Sequence, residues 1–177
     1  MMRCRPTQKR SMRLQPSCGF TLMEMLLVVM VMSMLALFAI PMIRDGRPAA
    51  VHAAATMLRS DLERAQIMAL AHPDQRIGLK FDTDGGGWHL VDADKPSIVL
   101  QDEFSGQPIS LRMGTGRGQV AHGVQLDPTG LEQDLLVFDA LGGLEVPGPP
   151  TLLRLRNDDH TAAVQISAST GWITINP

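Results

Sequence analysis

Hydrophobic residues are concentrated first in one uninterrupted run near the start of the chain. Residues 25–43 contain 19 positions without a charged side chain, and Glu24 and Arg44 bracket them. A helix over residues 20–43 would extend roughly 36 Å at about 1.5 Å per residue, which exceeds a hydrocarbon core about 30 Å thick. The pattern therefore predicts a transmembrane helical segment over residues 20–43.

A second hydrophobic pattern, with apolar positions every three or four residues, follows between residues 49 and 72. This spacing is typical of an amphipathic helix, and Pro73 should end it. Between the two patterns, Pro41 should kink or break the helix within residues 38–46. The buried face of the second helix is rich in alanine, which favours close approach of a sheet. Its predicted members are Val51, Ala54, Ala55, Leu58, Leu62, Ala65 and Ala69.

After Pro73 the hydrophobic period changes from about 3.6 residues to 2, the period of β-strands. Turn residues separate short alternating segments, with hairpin tips at residues 83–87 and 157–160. This part of the sequence has no crossover helix, so the strands should be antiparallel. The predicted fold class is α+β, a long N-terminal helix whose amphipathic half, within residues 44–73, packs on an antiparallel sheet or sandwich within residues 74–177. The predicted strands are residues 76–82, 88–93, 97–101, 123–126, 134–140, 151–156, 162–168 and 172–176.

Charge is distributed unevenly along the chain. Residues 1–19 hold five of the 16 Lys and Arg residues and none of the 18 Asp and Glu residues, so the remainder has 11 cations, 18 acids and a formal charge of −7. The positive-inside rule places this basic leader in the cytoplasm and everything after Ile43 across the membrane. An acidic remainder disfavours nucleic acid as a partner. Both cysteines, Cys4 and Cys18, lie in the leader, so the remaining chain has none for a disulfide.

The start of the apolar run has a specific sequence, in which Gly19 and Phe20 are followed by Thr21, Leu22 and Glu24. Hydropathy alone requires none of the small or polar residues in it. The stretch resembles the prepilin signature of type IV pilins and type II secretion pseudopilins. The resemblance covers the whole first helix and implies a pilin-like fold. Pro41 would be the twenty-second mature residue, where such proteins often carry a proline.

The resemblance implies that a prepilin peptidase cuts between Gly19 and Phe20 and that the new amine of Phe20 is methylated. Glycine at a cleavage site leaves the extended backbone accessible. The resemblance also implies docking through Phe20, Thr21, Leu22 and Glu24, with the carboxylate of Glu24 pairing with the amine of a neighbouring subunit. Such pairing would offset the cost of a charge in the membrane, on the order of a few kcal/mol.

The body of the chain and its last hairpin, AAVQISASTGWITI, are similar to the minor pseudopilin GspH/FimT family. This similarity implies a non-enzymatic subunit of a type II secretion pseudopilus, without a cofactor, that supports protein export across the outer membrane. The implied partners are prepilin peptidase, the inner membrane and other pseudopilins, major and minor, contacted through the N-terminal helix. The implied location is the inner membrane, single-pass, with a periplasmic C-terminal domain. The alternative is a FimT-like minor type IV pilin in pilus assembly, adhesion or DNA uptake.

Other residue patterns give weaker indications of function. Asp82 and Asp84 have calcium-loop spacing, but Ala93 occupies the position of the bidentate glutamate, which favours a plain turn. The five histidines show no metal-ligand spacing, and no nucleophile motif supports a secreted enzyme. The segment MGTGRGQ, residues 113–119, lacks the ending of a phosphate loop, so we interpret it as a surface loop with Arg117 as a candidate interface residue.

Overall fold

The computed structural model describes residues 21–44, 46–128 and 130–176, and within the first helix it describes side chains only up to residue 36. The chain divides into two compact units, Met1–Arg44 and Asp45–Pro177. Across the residues that the structure describes, no helix has both the length and the hydropathy of a membrane span. The transmembrane segment over residues 20–43 therefore stays a prediction.

The first unit contains helix α1, Leu22–Arg44. Its side chains from Leu22 to Leu35 are apolar apart from Glu24 and Ser33, and all are exposed in the isolated chain. The helix is assigned without interruption across Pro41, and a bend in its axis there stays a prediction.

The second unit begins with helix α2, Arg47–Ala71. Gly46 caps its start and Pro48 lies in its first turn, where the missing N–H of proline costs no hydrogen bond. The seven residues predicted for its buried face are all buried, and four of them are alanines. The sequence prediction missed an eighth buried residue, Asp61.

The described residues of the second unit form nine antiparallel strands in two sheets. The strands are β1 Ile77–Phe81, β2 Gly87–Asp92, β3 Lys95–Val99, β4 Ser110–Arg112, β5 Gln125–Asp127, β6 Leu135–Val137, β7 Thr151–Asn157, β8 His160–Ile166 and β9 Ile173–Asn176. The first sheet has the order β3-β2-β1-β6, and β4 also pairs with β2. The second sheet has the order β5-β7-β8-β9. All eight predicted strands are present, as are both predicted hairpins, and β4 is the strand that the sequence prediction missed.

Helix α2 packs against both sheets through its alanine-rich face. It contacts β7, β8 and β9 of the second sheet and β1 of the first. Ala54, Ala55 and Ala65 are fully buried, and small side chains let the helix lie close to the strands. Large side chains of the first sheet, among them Phe81 and Trp88, fill the same core. The α+β fold with an N-terminal helix packed on antiparallel sheets is thus confirmed.

Gln66 of α2 forms hydrogen bonds to two loops. Its Nε2 donates to the carbonyl of Gly142 at 2.6 Å and to that of Thr170 at 3.4 Å. The next residue, Gly171, has φ +62°, and a Cβ there would overlap the Gly142 carbonyl and the Gln66 amide. Only glycine combines this left-handed conformation with such a close approach.

Candidate functional site

The described part of the N-terminal motif lies at the start of α1, where Thr21 caps the helix. Its Oγ1 accepts the amide N–H of Glu24 at 3.3 Å, and its carbonyl accepts the amides of Glu24 at 3.1 Å and Met25 at 3.2 Å. The spacing from Thr21 to Glu24 is that of a capping box, in which the threonine side chain accepts an amide N–H from the first turn of the helix. Thr21 therefore has a local structural role beside the docking role that its motif implies.

The carboxylate of Glu24 is exposed and lies in the first turn of α1. Negative charge is favourable there because the first amides of a helix carry partial positive charge. To the residues that the structure describes, this carboxylate makes no hydrogen bond or ion pair. The docking role of Glu24 stays a prediction.

Between residues 25 and 36, where the structure describes the side chains of α1, the one polar side chain is that of Ser33. Leu22 is 82% exposed and Met30 is 68% exposed. The one hydroxyl in this stretch, that of Ser33, is satisfied by the carbonyl of Val29 at 2.8 Å. A helix that is apolar all round is stable when lipid or other helices cover it. The described part of α1 thus combines an apolar surface with one acidic group in its first turn.

Two motif residues, Gly19 and Phe20, lie outside the described residues. Cleavage between them and methylation of Phe20 stay predictions, as does the docking role of Leu22. The family model for the prokaryotic N-terminal methylation motif matches residues 15–40 of this chain. The match supports a type IV pilin-like protein. It does not separate the GspH/FimT branch from other pilin-like proteins.

The pilin-like motif has consequences for processing and assembly. It implies cleavage by a prepilin peptidase, assembly with other pilin-like subunits, and a membrane-anchored N-terminus. It points to a structural subunit. No curated protein and no solved structure matches the chain.

An ion pair in the second unit, with its carboxylate buried, is the main polar interaction that the sequence analysis missed. Asp61 on α2 has a side chain only 3% exposed. Its Oδ2 accepts the indole Nε1–H of Trp88 at 2.8 Å and a guanidinium N–H of Arg117. Arg117 is itself half exposed. Most of the glycine-rich segment 113–119 is an exposed surface loop, as predicted, and the ion pair of Arg117 attaches it to α2.

The sequence signal for this pair was present on α2. Asp61 lies three residues after Leu58 and four before Ala65, so it falls on the apolar stripe of the helix. An acid on such a stripe indicates a buried, paired carboxylate. Its partners lie 27 and 56 residues away along the chain, and no local pattern identifies them.

The two carboxylates considered for calcium are engaged by an arginine. Arg112 lies 2.8 Å from Asp84 and 3.5 Å from Asp82, and His89 lies 3.4 Å from Asp82. The amide N–H of Gly86, and next the Arg112 guanidinium, hold the pKa of Asp84 below its ordinary value. Within the described ranges, no group of three or more His, Cys, Asp or Glu side chains is arranged to hold a metal ion.

Two further arginines link loops through their carboxylate partners. Arg76 lies 2.7 Å from Asp94 and 2.6 Å from Glu145, and these hydrogen bonds, the one to Glu145 foremost, raise the pKa of Arg76. Arg64 on α2 pairs with Asp102. The amide of Ser105, followed by Arg64, lowers the pKa of Asp102 to about 2.

Proposed function

We propose that this chain is a minor pseudopilin, a structural subunit of a type II secretion pseudopilus that supports protein export across the outer membrane. The observation that carries the proposal is Glu24, an exposed carboxylate without a described partner at the start of an otherwise apolar helix. The position lies inside the matched methylation motif, residues 15–40.

The proposed chemistry begins with cleavage after Gly19. Cleavage creates an amine on Phe20, which is then methylated and stays cationic. In the assembled filament the carboxylate of Glu24 binds the amine of Phe20 on a neighbouring subunit. An unpaired charge in a membrane costs on the order of a few kcal/mol, so the pair favours helix–helix contact over separate helices in lipid.

The remaining parts of the chain have roles that follow from this docking. Residues 20–43 anchor the subunit in the inner membrane, and the β-rich unit lies in the periplasm. Pro41 allows the helix to bend between its apolar and amphipathic halves. The last hairpin, residues 162–176, contains no Lys or Arg, which favours a secretion role over DNA uptake.

The test compares Glu24→Ala and Glu24→Asp with Ser33→Ala as the matched control. Ser33 is the other polar residue of the described α1 surface, and its hydroxyl is satisfied inside the helix. We expect all three variants to be processed by the peptidase. Glu24→Ala should lose incorporation into filaments by at least about tenfold, because the charge partner is absent, whereas Glu24→Asp and Ser33→Ala should largely retain it.

Incorporation is measured by crosslinking to other pilin-like subunits in cells, and secretion by export of a reporter substrate of the system. Normal crosslinking in Glu24→Ala would contradict docking by charge. Normal secretion after deletion of the gene, together with lost surface pili, would favour the alternative minor type IV pilin.

A further inference from the structure

A small polar pocket lies beside α2 in the second unit. Its volume is about 280 Å³, and two arginines from different parts of the chain line it, Arg64 and Arg117. Asp102, Ser105, Gln107 and Ser110 complete its polar lining. Two cations, one carboxylate and several hydrogen-bonding side chains thus face one space.

Each guanidinium forms an ion pair with a carboxylate of the protein. Arg117 pairs with the buried Asp61, and Arg64 pairs with Asp102. Asp102 also accepts the amide of Phe104 at 3.0 Å, the amide of Ser105 at 2.8 Å and the Ser105 hydroxyl at 3.0 Å. This carboxylate is therefore well satisfied within the protein.

Most N–H groups of the two arginines, in contrast, donate no hydrogen bond to the described residues. A guanidinium has five N–H groups. Arg64 and Arg117 each make a single hydrogen bond to the described residues, and their side chains are 39% and 50% exposed. Pre-positioned arginines with spare donors favour a carboxylate, which matches the guanidinium geometry in a bidentate pair.

An apolar groove of about 470 Å³ adjoins this pocket and shares Arg64, Asp102 and Ile109 with it. Phe104 and Ile67 line the groove, and they are 99% and 64% exposed. The acids on its rim are Asp102, Glu63, which pairs with Arg59 at 2.7 Å, and Glu103. His72 lies at the end of α2 on the same rim.

We propose that this surface binds an extended segment of a partner protein, with a carboxylate of the partner against Arg64 and Arg117 and an adjacent apolar side chain against Phe104 and Ile67. A small inorganic anion would satisfy the arginines but leave both large apolar side chains exposed. A peptide with an acidic and an apolar residue side by side complements both parts. The surface belongs to the second unit, so the proposal stands or falls independently of docking through α1.

The test is a titration of the full-length, ¹⁵N-labelled protein in detergent micelles with the peptide acetyl-Leu-Asp-Leu-amide. The chain has two tryptophans, so its spectrum should contain two indole N–H signals. Trp88 donates to the same Asp61 oxygen as Arg117, so its signal should move on binding. The Trp172 signal reports general micelle effects, and acetyl-Leu-Asn-Leu-amide controls for partition of the peptide into detergent.

We expect the Asp peptide to move the Trp88 signal and the Asn peptide to leave it in place. Arg64→Gln should weaken binding about tenfold, because one charge-assisted contact is lost. Phe104→Ala should weaken it several-fold. Arg47→Gln, whose ion pair with Asp158 lies near the start of α2 and outside both the pocket and the groove, should leave it unchanged. Lysine at position 117 keeps a positive charge beside the buried Asp61 but lacks the planar guanidinium that binds a carboxylate through two N–H groups. Reduced binding in Arg117→Lys is therefore not a folding defect.

Equal binding of the Asp and Asn peptides, or of wild type and Arg64→Gln, would overturn the proposal. Sodium phosphate that moves the Trp88 signal at the same concentration as the peptide would show a simple anion site and would also overturn it.

Discussion

Arg117→Gln should destabilise the second unit more than Asp61→Asn, although the two residues form one ion pair. Asp61 is almost fully buried, and the half-exposed Arg117 is its one cationic partner among the described residues. In Arg117→Gln, a buried charge loses its counter-ion and keeps only the Trp88 indole. Breaking a buried pair in this way costs about 3–5 kcal/mol, and we expect about 3 kcal/mol because solvent reaches the arginine side.

In Asp61→Asn the buried charge itself is absent. The side-chain carbonyl can still accept the Trp88 indole, so the expected loss is about 1–2 kcal/mol, the range for one weakened hydrogen bond. The double variant Asp61→Asn/Arg117→Gln should be close to Asp61→Asn alone. The coupling energy between the two changes should therefore be about 3 kcal/mol, the whole effect of Arg117→Gln, whereas independent sites add to within about 0.5 kcal/mol.

Urea unfolding of the full-length protein in detergent measures these differences. The fluorescence of Trp88, in a Trp172→Phe background, follows the core because Trp88 is only 1% exposed. Equal midpoints for Arg117→Gln and wild type would show that Asp61 is neutral or hydrated without its partner. That result would refute the reasoning from buried charge.

The remaining predictions concern a turn and an acid-sensitive loop. Gly171→Ala should cost about 2–3 kcal/mol in urea unfolding, because it adds a Cβ in a left-handed conformation against the Gly142 carbonyl, whereas Gly106→Ala, also left-handed at φ +65° but open, should cost about 1 kcal/mol. Equal losses would contradict the overlap. Asp102 has its pKa lowered to about 2, chiefly by the amide of Ser105, so its contribution is fully present above pH about 4 and is lost as the pH falls towards 2. In Asp102→Asn the urea midpoint should therefore fall less between pH 5 and about pH 2 than in the wild type. The same fall in both proteins would contradict this assignment.

Much of the fold of the second unit could be predicted because its patterns are local. The apolar spacing on α2 identified seven buried residues, and alternation identified eight strands. Strand β4 was missed because Ser110–Arg112 contains a single apolar residue between two polar ones, too little to show a period. Its strand conformation depends on pairing with β2, a tertiary contact.

The candidate sites also differ in how far the sequence could predict them. The N-terminal motif is continuous in sequence, and the comparison with known families found the same stretch. The ion pair of Asp61 and Arg117 and the pocket formed by Arg64 and Arg117 join residues that are far apart in the chain. Sequence reasoning placed Arg117 at a candidate interface, and only the fold shows which groups surround it.

The most direct test of the central claim is the intact mass and N-terminal peptide of the protein isolated from cell membranes. The account predicts a chain that starts at a methylated Phe20, with residues 1–19 removed. A functional chain that keeps its basic leader, or one cut after the apolar run, would contradict it.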